Sequence, residues 1–125
     1  MRILVCGSRY WDDYTLIESK LREFGGESAG DFPDVIVIDG VCRGADCLAN
    51  EAAHKLRYGA LRFPADWETH GKAAGPIRNQ KMLDDGRPDL VLAFHDNIEN
   101  SKGTKDMVSR ARKAGVPVEI IKHDN

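Results

Sequence analysis

The chain has 125 residues, 42% hydrophobic and 30% charged, which suits one folded unit around one core and leaves no room for a second domain of ordinary size. Eighteen Lys and Arg stand against 20 Asp and Glu, a formal net charge of -2. No polybasic face for a nucleic acid or a membrane surface is implied, so the balance argues against nucleic acid and for a small-molecule partner.

The longest apolar runs, such as Val35 to Ile38 and Leu90 to Phe94, fall far short of the roughly 20 residues that cross a bilayer. No membrane association is expected. Met1 to Cys6 is too short for the apolar region of a signal peptide and runs straight into glycine and charge, so the expected location is the cytoplasm. Cys6, Cys42 and Cys47 are odd in number and have no repeated spacing. Reduced thiols are expected, with no disulfide framework, no metal site and no bound cofactor.

In chain order, the first apolar run, Ile3 to Cys6, reads as a strand. A helix follows, with Asp12 or Asp13 as N-cap, Ile17, Leu21 and Phe24 inward, and Gly25-Gly26 as its stop. Glu27 to Pro33 reads as a polar connection to a second strand, Val35 to Ile38. Ala45, Leu48, Ala49, Ala52 and Leu56 recur at helical spacing and predict a second helix with that face on a sheet. A third strand is predicted at Leu61 to Phe63. Pro76 then suits the first position of a third helix that Gly86 closes. The last pair of strands, Leu90 to Phe94 and Val118 to Ile121, flanks a fourth helix from about Gly103 to Gly115 with Met107, Val108, Ala111 and Ala114 inward.

The alternation β-α-β-α-β-α-β-α-β calls for an α/β fold: a single Rossmann-like three-layer α/β/α domain over residues 1–125, with a five-stranded, mostly parallel sheet in the order 3-2-1-4-5. Continuous apolar strands fit burial on both faces. In such sheets a ligand binds outside the carboxyl ends of the strands, where the strand order reverses. That rule selects the loops after the strands.

Those loops hold most of the unusual residues. Gly7 and Gly40 let backbone approach a ligand, Ser8 and Arg9 offer a hydroxyl and a guanidinium, and Arg43-Gly44-Ala45-Asp46 precedes and opens the second helix. Ser101-Lys102-Gly103-Thr104 opens the fourth helix, where free N–H groups and the dipole favour an anion. Asp66 is placed for ribose hydroxyls and Trp67 for stacking on a base or for the core. Arg78 and Asn79 are expected in the first turn of the third helix, where a guanidinium needs an anion to meet it. A P-loop and the Gly-x-Gly-x-x-Gly dinucleotide fingerprint are both absent. His54 and His123 read as solvated, His95 and Asp96 equally as crevice residues after the fourth strand or as a loop turn, and the basic run of Lys102, Lys105, Arg110, Arg112 and Lys113 as a solvated helix face.

Five ordered motifs carry a resemblance: Ile3-Leu4-Val5-Cys6-Gly7-Ser8-Arg9; Gly40 with Arg43-Gly44-Ala45-Asp46; Phe63-Pro64-Ala65-Asp66-Trp67; Ala74-Gly75-Pro76-Ile77-Arg78-Asn79; and Gly103-Thr104 with Asp106-Met107-Val108. Together they resemble the YspA and cpYpsA-related branch of the SLOG superfamily. The resemblance implies a Rossmann-like fold that binds a nucleotide or nucleotide-derived ligand, a bacterial or phage setting, and room for a homodimer.

Related phosphoribohydrolases cut the N-glycosidic bond of nucleoside monophosphates with an arginine and the glutamate of a Gly-Gly-x-Gly-Thr-x-x-Glu motif. Here Arg78 falls in the matching helix and Gly103-Thr104 matches the Gly-Thr. Asn100-Ser101 replaces the glycines, however, and Met107 the glutamate. A thioether neither stabilises an oxocarbenium charge nor acts as a base. The leading expectation is therefore ligand binding. An N-glycosidase using Arg78 with Asp46, Asp66 or Asp106 is the alternative, and a single-stranded DNA module, like the DNA-processing proteins of this fold, is a third reading.

Overall fold

A computed structural model of the chain describes residues 1–27 and 34–123; most of the polar connection expected at Glu27 to Pro33 lies outside the described residues. Five strands alternate with helices: β1 (Arg2–Gly7), α1 (Tyr14–Gly25), β2 (Ile36–Asp39), α2 (Ala45–Lys55), β3 (Gly59–Arg62), a short α3 (Trp67–His70), α4 (Ala74–Asp84), β4 (Leu90–Phe94), α5 (Lys102–Lys113) and β5 (Val118–Ile121). Among the described residues no helix is long and apolar enough to cross a membrane.

The sheet order is β3-β2-β1-β4-β5 and every pairing is parallel, as the α/β pattern requires. The order reverses at β1, which pairs with β2 from Arg2↔Ile36 to Leu4↔Ile38 and with β4 from Ile3↔Leu90 to Gly7↔Phe94. Because side chains alternate along a strand, β1 feeds two cores. Ile3 and Val5 join Ile17, Leu21, Ala49, Ala52 and Phe94 on the α1–α2 side. Leu4 and Cys6 join Met82, Met107, Val108 and Ala111 on the α4–α5 side. Each fully buried large apolar side chain contributes about 1.5–3 kcal/mol. Only the inner strands are buried on both faces: all five residues of β4 are buried, whereas the edge strands β3 and β5 are mostly half-exposed.

Local signals set most of the boundaries. The Asp13 carboxylate accepts from the Leu16 N–H at 3.1 Å and caps α1, which stops at Gly26. Ser101 Oγ accepts from the Thr104 N–H at 3.1 Å and caps α5. Other boundaries depart from expectation. β3 comes two residues early and excludes Phe63, because its ladder with β2 runs from Ile36↔Gly59 to Asp39↔Arg62 and ends with that ion-paired register. α4 begins at Ala74, so Pro76 stands third, still among the N–H groups that need no intrahelical partner. Ala114 is an exposed cap of α5 and does not face the core.

The end of β1 is tightly packed. A Cβ on Gly7, which has φ +155°, would lie 2.3 Å from the Phe94 carbonyl oxygen and 2.9 Å from the Ala45 Cβ. Gly7→Ala is therefore expected to cost about 2–4 kcal/mol in urea unfolding. Gly103→Ala, where nothing lies within 4 Å of the added carbon, should stay within about 0.5 kcal/mol.

Candidate functional site

The carboxyl ends of β1 and β2 and the first turns of α2 and α4 meet around three backbone positions. Ser8 donates its N–H to the Phe94 carbonyl at 2.9 Å, and its own carbonyl accepts from the N–H groups of Trp11 and Ala45, each at 3.1 Å. Its hydroxyl accepts from the Tyr10 N–H at 3.0 Å. Gly44, at φ +76°, is required beside it, since a Cβ there would come within 2.2 Å of the Ser8 carbonyl oxygen. Arg9 and Arg43 are exposed next to this knot.

β2 ends in a buried carboxylate. Asp39 is fully buried and takes Arg62 in a two-pronged ion pair, Nε to Oδ2 at 3.0 Å and Nη2 to Oδ1 at 3.1 Å. Its Oδ1 also accepts from the Val41 N–H at 2.7 Å, holding a β-branched residue at φ +62°. Such strain persists only where neighbours over-determine it. Asp39, Arg62 and Val41 were not among the residues selected from the sequence. The available signal was an aspartate continuing the buried apolar run of β2.

Asp46, in the first turn of α2, is 5% exposed, and its Oδ2 accepts from the Gly40 N–H at 2.8 Å. Burial pushes its carboxyl up to about 7 and the Asp39 charge adds to this, while the Gly40 and Cys42 N–H groups and the Arg78 guanidinium pull it back. Arg78 lies against the same glycine, with Nη1 donating to the Gly40 carbonyl and, at 3.7 Å, to Cys42 Sγ. Its Nε donates to Asn79 Oδ1 at 3.0 Å. Arg78 is the fifth residue of α4, two residues deeper than expected and past the first turn, so the positive helix end is not what calls for an anion. Its own partners call for one: all are neutral, and among the described residues no carboxylate forms an ion pair with it.

Asn79 is buried and ties this cluster to α5, with Nδ2 donating to Asp106 Oδ2 at 3.0 Å and to the Gly103 carbonyl at 3.4 Å. Asp106 is also held by Arg110 Nε at 2.8 Å. At the start of α5, Lys102 and Gly103 are exposed and Thr104 is buried. Asp66 is exposed and caps α3 by accepting from the Thr69 N–H at 3.1 Å. Trp67 is 59% exposed, which removes the core reading, and its ring edge lies against Gly75 at the start of α4. Among the described residues no three His, Cys, Asp or Glu gather around a point that a metal ion fits.

Two concavities flank the cluster. The larger, about 590 Å³, lies on the outer face of α4 between Ile77, Lys81, Asp84 and Arg110. None of its lining residues comes from the ends of β1, β2 or β4 and its arginine is already paired, so size does not mark the chemistry here. The smaller, about 240 Å³, opens at the β1 and β4 ends between Ser8, Trp11, Asn97, Asn100 and His123. Neither is lined by Arg78, whose side chain lies over Gly40.

His123, expected to be solvated, instead stacks on Trp11 with ring centroids 3.8 Å apart, and its Nδ1 lies 2.9 Å from Asp96 Oδ2.

The family model for the YspA, cpYpsA-related SLOG family matches residues 1–70. The chain belongs to that family. The match includes the Gly7–Arg9 and Gly40–Asp46 segments of this SLOG chain. The later segments are covered by a relative, the Gene 61 protein of Mycobacterium phage D29, which is 37% identical over 122 residues, 94% of this chain and 93% of the relative. The solved structure of DNA processing protein A (DprA) from Streptococcus pneumoniae superimposes with a TM-score of 0.75 over 98% of this chain, at 15% sequence identity. This chain spans 50% of that protein, and at such identity the likeness is one of fold. The expectation, drawn from charge, that a nucleic acid is not a partner finds no support in these likenesses.

The Asp96 carboxylate, by its hydrogen bond first and then its charge, holds the His123 imidazole above its usual range. A raised folded value means that the pair's contribution is present below the ordinary histidine range, about 6.5, and is lost as pH rises through the shifted value. In a Trp67→Phe background, Trp11 fluorescence should rise along a titration with a midpoint above about 6.5, because imidazolium quenches a stacked indole; Asp96→Asn should bring the midpoint back down.

Proposed function

We propose that this SLOG chain, acting as one unit, binds a nucleotide or nucleotide-derived ligand at the carboxyl ends of the sheet through its phosphate. The supporting observation is Arg78, a half-buried guanidinium that, among the described residues, is bound to neutral acceptors and to no carboxylate. A cation held in a partly desolvated place without a carboxylate is complemented by an anion that arrives with the ligand. The phosphate is shared between the Arg78 guanidinium, the Ser8-Arg9 loop with Arg43 behind it, and the Lys102-Gly103-Thr104 start of α5, to which Asn79 connects Arg78. Trp67 offers an exposed ring to a base, and Asp66 beside it offers a carboxylate to ribose hydroxyls.

Turnover finds less support. Of the carboxylates considered for stabilising an oxocarbenium-like transition state, Asp66 caps α3 and Asp106 is engaged by Arg110 and Asn79. The DprA-like fold favours one further reading, a single-stranded DNA whose backbone phosphates occupy the same groups.

Calorimetry with nucleoside monophosphates, NAD-type compounds and a short oligonucleotide separates these readings. Binding without release of free base is expected, and Arg78→Ala should weaken it by about 10- to 100-fold, the worth of roughly 1.5–3 kcal/mol for hydrogen bonds to a charged group. Base release that Arg78→Ala abolishes would establish the enzyme instead. Tighter binding of the oligonucleotide with a steep salt dependence would establish the DNA reading.

A further inference from the structure

Gly40 stands between two charges that do not touch. Its N–H donates to Asp46 Oδ2 at 2.8 Å, and its carbonyl accepts from Arg78 Nη1. A Cβ on residue 40 would lie 2.6 Å from that nitrogen, so glycine is what lets the guanidinium lie flat on this backbone. Neither Asp46 nor Arg78 enters an ion pair among the described residues. They are opposite charges separated by one residue, the carboxyl buried on one side of it and the half-buried guanidinium on its carbonyl. At that range, in a poorly solvated place, each still feels the other.

The groups around Asp46 decide how it responds. β1 brings Cys6, whose thiol is pushed up by its burial and then by Asp46. β2 brings Asp39, already clamped by Arg62 of β3. The turn after β2 brings Cys42, held up by burial and by Asp46, with Arg78 and Arg9 acting the other way. α4 brings Arg78, a cation that acts directly on the Asp46 charge. The Gly40 and Cys42 N–H groups and the Arg78 charge thus favour the carboxylate form, against burial and Asp39; of these, only the Arg78 contribution is one that an arriving anion neutralises.

Building on the anion-binding reading above, we infer that Asp46 sets the charge of the site, and that an anion drawn to Arg78 binds together with one proton taken up from solvent by the Asp46 carboxylate. The phosphate neutralises the cation that favours the ionised form and adds a negative charge of its own. Both changes favour the neutral acid. By linkage, anion affinity falls as pH rises through the range in which Asp46 ionises. The residue acts through Arg78 and the local field, not by touching the ligand.

The Gly40 amide is bonded to the titrating carboxyl and reports on it. In the ¹⁵N-labelled full chain its chemical shift should titrate between about pH 5 and 9, and inorganic sulfate, which does not itself ionise there, should move the midpoint upward. ADP-ribose carries a pyrophosphate diester with no group ionising near neutrality. Calorimetry with ADP-ribose at about pH 7, in two buffers of different ionisation enthalpy, should record net proton uptake. Its affinity should fall roughly fivefold between about pH 6 and 8, the effect there of about one unit of pKa shift on a group that ionises near 7. Asp46→Asn, similar in shape but unable to ionise, should remove that pH dependence.

A Gly40 amide that does not titrate, or ADP-ribose bound without proton uptake, would overturn the role of Asp46 and leave the anion site standing. If the Gly40 amide titrates but neither sulfate nor any nucleotide binds at either pH, the anion site itself falls, and this linkage with it.

Discussion

The close approach of β1 to β4 and α2 at Gly7 and Ser8 organises the ligand-facing end of this molecule. Gly7 has no Cβ, so β1 can come against the Phe94 carbonyl and the Ala45 methyl. The next residue then spends its backbone on three elements at once: its N–H on β4, and its carbonyl on Trp11 and on the first N–H of α2. Both unpaired strand-end groups are satisfied and the start of α2 is fixed in the same step. With α2 pinned there, Asp46 falls beneath Gly40. With β1 and β4 paired through Gly7↔Phe94, the strand order reverses beside it.

Around that junction acidic and basic groups are arranged in two different ways. Asp39 and Arg62 meet directly in a geometry that uses both carboxylate oxygens, and this pair holds the strained turn at Val41. A buried carboxylate paired in this way is a structural commitment, because removing either partner strands the other. Asp46 and Arg78 do not meet, and Gly40 lies between them. One pair is closed and the other is left open toward the strand ends. A net charge of -2 is compatible with this, since recognition depends on where a cation lacks its counterion and not on the sum over the surface.

The α5 start joins the same arrangement through Asn79. This amide uses its oxygen on Arg78 and its nitrogen on Asp106 and the Gly103 carbonyl, so the guanidinium and the helix terminus are oriented by one buried side chain. On the other side of the switch point, His123 covers Trp11 and anchors to Asp96, closing the sheet end near β5.

The sequence alone determined the class of fold. Apolar runs of strand length, helical recurrence of alanine and leucine, and caps at Asp13, Gly26 and Ser101 are local signals, and parallel pairing with right-handed crossovers leaves few ways to assemble them. The loops after the strands were located by the same local signals. What only the tertiary structure decided concerns partners distant in the chain. The ladder with β2 set the limits of β3. Burial by neighbours raised the Asp46 carboxyl, and among the described residues Arg78 has no counterion, Asp39 being paired with Arg62 and Asp106 with Arg110. Trp67 lies outside the core and His123 against an indole, although propensity favours neither placement. Periodicity and capping act within a few residues, whereas desolvation and charge pairing depend on what the fold brings within a few ångströms from elsewhere in the chain.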